Sequence, residues 1–255
     1  MPSLTALHFG WNRRAAILLA RLCLPPGACP LATRRAAEVL SPNDWDALGR
    51  LAECLGVAPL LHHGLLHHGL DVRVTAQTLA HLRERRLAVA CHNHTVLEAT
   101  RPFWTSQDPL VGPTILLKGA SLLATLYPDW SLRVLADVDV LPMDPAVRQR
   151  LAQQGSDEIT QGAVDLHWAM KSQWSQRPLP RPHIAAMVER ADRAVLAGEP
   201  VRVLAVEDNL LWLLWHDFCT DNPEQDRLLD IAWLVHTQRE RLDWEQTLER
   251  AEQWG

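Results

Sequence analysis

Residues 112–141 interrupt a chain whose flanks carry helical spacing, and this interruption does most to set the fold class. After Gly112-Pro113 the short β-branched and aliphatic run Thr114-Ile115-Leu116-Leu117 predicts a strand. It stops at Lys118-Gly119, helical spacing resumes from Ala120 to Leu126, and Tyr127-Pro128-Asp129 closes that helix. Arg133 to Leu141 then alternates as a strand would. Arg133, Leu135, Asp137, Asp139 and Leu141 fall on one face, and Val134, Ala136, Val138 and Val140 on the other. A strand, a glycine turn, a helix and a second strand must share a sheet, so the expected class is α/β.

The flanks read as helices. Residues 11–24, 42–55 and about 76–101 space their apolar residues helically, and Ser41-Pro42-Asn43-Asp44 supplies a capping oxygen, a first-turn proline and an early negative charge. A short helix is expected over 145–154, and a third strand from Ala163 to Met170, on which Asp165 and His167 share a face. The proline-rich stretch 177–182 reads as a linker, followed by helices near 183–197, 206–219, 224–240 and 243–253. The expected organisation is an N-terminal helical lobe (1–111), an α/β core (112–176) and a C-terminal helical lobe (177–255).

Composition excludes some partners. The 255 residues are 47% hydrophobic and 22% charged, enough to bury a substantial core. With 25 basic against 30 acidic residues the formal charge is -5, which argues against a broad surface for long nucleic acid. Lysine is confined to Lys118 and Lys171, which makes the one beside the glycine turn notable. Five scattered cysteines form no CxxC and suit a reducing cytoplasm. Arg21 interrupts the apolar run that follows Arg13-Arg14, so no signal peptide is expected, and no run approaches the roughly 18 residues of a membrane helix.

Asp137 and Asp139 on one strand, with Asp165 on a later one, make three convergent carboxylates. That set is what two magnesium ions need in order to hold a nucleotide's phosphates and lower the pKa of an attacking hydroxyl. Backbone N–H groups after Gly119, with the Ser121 hydroxyl, suit phosphate oxygens, and the helix dipole favours the anion. Lys118 either adds a point charge there or snorkels from the end of a buried strand. Arg133 either steadies a triphosphate or pairs with Asp129 or Asp137.

The stretch Ile115 to Pro142, ILLKGASLLATLYPDWSLRVLADVDVLP, resembles the uncharacterised bacterial nucleotidyltransferase family of the polymerase-β-type superfamily. That family typically reads LKGaaL, a tyrosine-proline-aspartate turn, then an arginine before D-x-D. VDLHW at 164–168 is similar to its third-carboxylate strand, and DWDALGRLAECLGVAPLL at 44–61 to its N-terminal helical segment. Its C-terminal segment is matched by Glu207-Asp208-Asn209-Leu210 through His216 and on to Leu229-Asp230-Ile231-Ala232. The segment between Asp139 and Asp165 is shorter than the family's usual one, and the gap from the glycine turn to D-x-D is longer than the superfamily's.

The resemblance implies a small mixed sheet flanked by helical lobes, with Gly119 and Ser121 in the phosphate turn. It makes Asp137 and Asp139 the metal-binding pair and Asp165 the third carboxylate, which helps to take the hydroxyl proton. The implied reaction is Mg2+-dependent transfer of a nucleoside monophosphate from a nucleoside triphosphate, ATP by expectation, to a hydroxyl of a peptide, protein or small molecule. A catalytically silent module that binds a peptide or partner protein is the alternative.

Other features weigh less. His63 and His67 in HHGLLHHG are spaced i, i+4, but no cysteine or carboxylate completes a zinc set. His92-Asn93-His94 reads as the exposed face of a helix, and Trp212 and Trp215 as core. His216-Asp217 lacks the further ligands of an HD-type phosphohydrolase. His167 either touches substrate, orients Asp165 or makes a cross-strand hydrogen bond. Asp230 interrupts an apolar helix, where an unpartnered carboxylate is costly, and either serves the acceptor side or caps or pairs with an arginine.

Overall fold

The computed structural model describes residues 13–153, 158–161, 163–169, 181–218 and 225–254. Most of the proline-rich stretch 177–182 falls outside them, as do Lys171 and Cys219. The chain divides into two compact units, residues 1–88 and 89–255.

The first unit is helical: α1 (Arg13–Leu22), α2 (Pro30–Glu38), α3 (Pro42–Cys54), α4 (Ala58–His68), a 3-10 turn (Asp71–Arg73) and the first half of α5 (Ala76–Trp104). Helix α3 starts where its cap predicts, with the Ser41 backbone N–H and hydroxyl both donating to Asp44 at 2.8 and 2.9 Å. Gly64 lets α4 close on the end of α1, because a Cβ there would stand 2.1 Å from the Leu22 carbonyl oxygen. Helices α2 and α4 lie outside the helices expected from spacing.

The second unit is built on a six-stranded mixed sheet in the order β3-β4-β2-β1-β6-β5. The strands are β1 (Thr114–Leu116), β2 (Val138–Pro142), β3 (Glu158–Gln161), β4 (Val164–His167), β5 (Asp192–Leu196) and β6 (Glu199–Val203). Between and after them come α6 (Lys118–Thr125), α7 (Pro145–Ala152), α8 (Arg181–Glu189), α9 (Val206–Phe218), α10 (Gln225–Thr237) and α11 (Trp244–Trp254). β1 pairs antiparallel with β2 and parallel with β6, while β2 pairs parallel with β4. Ile115, Leu117 and Leu141 pack with Met187, Trp212 and Trp254, so α8, α9 and α11 share one core with the centre of the sheet. The fold class is α/β with helical flanks, as expected.

β3 was not expected, the strand expected from Ala163 to Met170 is confined to β4 among the described residues, and two further boundaries differ from the sequence reading. The strand expected over 133–141 is confined to β2, because Asn93 takes the backbone groups a longer strand would offer to neighbours. Fully buried on α5, it donates to the carbonyls of Trp130 (2.6 Å) and Arg133 (2.7 Å) and accepts from Leu135 N–H (2.9 Å). The helix expected over 183–197 ends at Glu189, and the chain turns into the β5–β6 hairpin. Its two turn residues, Ala197 and Gly198, have φ of 51° and 84°, the left-handed pair that matches hairpin twist. Within the expected C-terminal helical lobe, therefore, lie two strands of the central sheet.

Candidate functional site

The site is made by register. Asp139 on β2 and Asp165 on β4 are direct partners in a parallel pair, and His167, two residues along β4, shares the face of Asp165. One ligand atom from each of the three comes within 4.8 Å of the others, the one such group of three among the described residues. Asp139 is 3% exposed, and its Oδ1 accepts from Lys118 Nζ at 2.6 Å and from His167 Nε2 at 2.7 Å. The His167 and Trp212 rings are perpendicular, with centroids 6.3 Å apart.

Electrostatics concentrates negative charge here. Burial by itself would raise the Asp139 pKa, but the hydrogen bond from His167 and the Lys118 charge together outweigh it and hold the group at about 2. The half-buried Asp137 is pushed the other way, first by burial and then by the charges of Asp139 and Asp165. Asp165 Oδ1 is buried with no hydrogen-bond partner. An orphaned carboxylate oxygen is expensive, and a cation held against Asp139 and His167 would satisfy it. The donor set, carboxylate oxygens with one imidazole, fits a divalent ion.

The other half of the site is the first turn of α6. Lys118 opens that helix with φ 42°, in the left-handed region. Gly119 is required by a close approach, since a Cβ there would lie 2.5 Å from Arg133 Nη1 and 2.9 Å from Leu135 Cδ2. Arg133 is thereby laid over the start of the helix. Its Nε donates to both oxygens of Asp230 at 3.0 Å, Nη1 donates to the Val134 carbonyl, and the Tyr127 hydroxyl donates to Asp230 Oδ1 at 2.7 Å. Asp230, at 1% exposure, thus anchors the arginine from α10, and Arg133 pairs with it instead of with Asp129 or Asp137. Ser121, one turn into α6, is fully buried with no partner for its hydroxyl, and is enclosed by protein.

Asn93, expected on an exposed helix face with His92 and His94, is instead fully buried, and Tyr127, expected only to close a helix, bonds Asp230. Asn93 shapes the approach to Asp137 and Asp139, and His92 beside it bonds the Leu135 carbonyl at 2.7 Å. For Tyr127 the signal was its place in the Tyr-Pro-Asp turn. For Asn93 the clue was an asparagine in mid-helix, which is unfavourable unless its amide is used elsewhere. The HHGLLHHG histidines lie on α4 in the first unit, where His62 is buried and the His63 and His67 rings stack at 6.5 Å.

A family model described as an uncharacterised nucleotidyltransferase matches residues 41–155 and 149–255. No curated protein and no solved structure matches the chain. Among the described residues no helix is long and apolar enough to cross a membrane.

Proposed function

Since the chain belongs to the family of uncharacterised nucleotidyltransferases, we propose that it moves a nucleoside monophosphate from a nucleoside triphosphate, ATP in the simplest case, to an acceptor hydroxyl. The observation that carries this reading is the convergence of Asp139, Asp165 and His167, with an unsatisfied oxygen on Asp165, in a family of that description. Asp139, Asp165 and His167 would hold a divalent ion, with Asp137 beside them. Mg2+ bound there would offset triphosphate charge and make the acceptor hydroxyl more acidic.

The protein's own groups divide the remaining work. The N–H groups of the first turn of α6 and the Arg133 guanidinium, held square by Asp230, bind phosphate oxygens. The Asp165 carboxylate takes the acceptor's proton as its oxygen bonds to the α-phosphorus. The bond from that phosphorus to the β-phosphate oxygen breaks and pyrophosphate leaves. Asp230 acts through Arg133 and is a positioning residue. With a formal charge of -5, the acceptor class favoured is a peptide, protein or small-molecule hydroxyl over long nucleic acid.

Incubation with α-labelled ATP, Mg2+ and parallel pools of small metabolites, peptides, protein extract and total RNA tests the reading. Label should appear in a non-nucleic-acid pool with the wild type and not with Asp165→Asn. Transfer to RNA alone would reject the acceptor class. Nucleotide binding with no transfer to any pool would make the protein a binding module.

A further inference from the structure

A cation already stands where the site's negative charge is densest, and it belongs to the chain. Lys118 Nζ lies 2.6 Å from Asp139 Oδ1, the same oxygen that accepts from His167, and the lysine side chain keeps 22% of its surface exposed while the aspartate is buried. Any ion bound by Asp139, Asp165 and His167 must therefore compete with an ammonium for Asp139. Lys118 is also the first residue of α6, beside Gly119 and the Arg133 guanidinium that covers it. A flexible four-carbon stem rooted at that helix start can reach both the carboxylate and an anion at the first turn.

Building on the nucleotidyltransferase reading, we propose that Lys118 is a placeholder for the metal. It neutralises Asp139 in the resting protein, gives that oxygen up when metal and triphosphate arrive together, and passes its ammonium to a phosphate. Metal alone has to displace the ammonium without offering it a new partner, and so binds weakly. Nucleotide supplies the new partner, so nucleotide and metal tighten each other's binding by the same factor, as linkage requires. The bare ion is then a poor ligand, and the site loads on the metal–nucleotide complex.

The test is calorimetric titration of Mn2+ into the full chain, with and without an ATP analogue carrying a methylene bridge between the α- and β-phosphorus. The variants are Lys118→Asn and Lys118→Gly, which remove the ammonium and suit φ 42° better than lysine does, and Lys118→Arg, which keeps a cation. Thermal melts establish that each is folded. Without nucleotide, the Asn and Gly variants should bind Mn2+ roughly 10- to 100-fold more tightly than the wild type, the worth of one charge-assisted hydrogen bond. The tightening of Mn2+ by nucleotide should shrink in both and persist in Lys118→Arg. Equal or weaker Mn2+ binding by both variants, or none measurable in any protein, overturns the placeholder. Undiminished tightening by nucleotide overturns the hand-over to phosphate. Failure of the transferase reading looks different: the wild type would ignore nucleotide, while the comparison of Mn2+ affinities would still decide the role of Lys118.

Discussion

Asp230 shows how a residue distant in sequence fixes a side chain beside the candidate ion site. Its carboxylate is 1% exposed and takes Arg133 Nε on both oxygens and the Tyr127 hydroxyl on one. A buried carboxylate in such a network stabilises by being fully bonded, and removing one partner strands the other. Asp230→Ala should therefore cost about 3–5 kcal/mol in urea unfolding, the usual range for breaking a buried pair. It should also weaken triphosphate binding more than metal binding, because Arg133 is no longer held over Gly119. Unchanged stability would contradict this placement. Asp139, Asp165 and Gly119 stand out in the sequence because each belongs to a local strand or turn pattern, whereas Asp137 precedes β2 and lies outside the group of three that the register brings together. The Arg133–Asp230 pair was not, since 97 residues separate its members and no spacing rule reaches that far.

At the scale of elements, the lesson lies in what stops them. Alternation from Arg133 to Leu141 is real, but a strand also needs its backbone groups for a neighbour, and Asn93 has claimed those of Arg133 and Leu135. A fully buried amide making three hydrogen bonds to the backbone is costly to remove, because its partners stay buried and unpaired. Asn93→Ala should destabilise by about 2–4 kcal/mol in denaturant titration. Amide hydrogen exchange should then quicken at Leu135 before it does in β2; uniform exchange across both would contradict the assignment. The β5–β6 hairpin was hidden for a different reason. Short apolar runs such as Ala194-Val195-Leu196 fit helix and strand alike, and only the Ala197-Gly198 turn decides between them.

For the whole molecule, the division into two units separates two kinds of constraint. The Asp139–Asp165–His167 group, Lys118, Arg133 and Asp230 all belong to residues 89–255, whereas the α1–α4 contact at Gly64 belongs to residues 1–88. Gly64→Ala sets a methyl group against the Leu22 backbone, which no rotamer can relieve, and should cost at least about 2 kcal/mol by overpacking. At temperatures where the variant remains folded its Mn2+ affinity should match the wild type, and a tenfold loss would contradict this separation. Sequence order alone revealed the strand–turn–helix–strand core and the family. It could not reveal that the chain after α8 returns to complete the sheet, because strand pairing across such a distance is settled by packing.

If Asp139, Asp165 and His167 form a divalent-ion site that serves a nucleoside triphosphate, nucleotide binding depends on both the ion and Asp139. Calorimetry with the methylene-bridged ATP analogue, in Mg2+ and then in chelator, tests it on the wild type and on Asp139→Asn. The wild type should bind only when Mg2+ is present, and Asp139→Asn should lose at least ~100-fold in affinity, about 2.7 kcal/mol of binding energy. Equal affinity with chelator present, or an Asp139→Asn protein that binds as the wild type does, would contradict it.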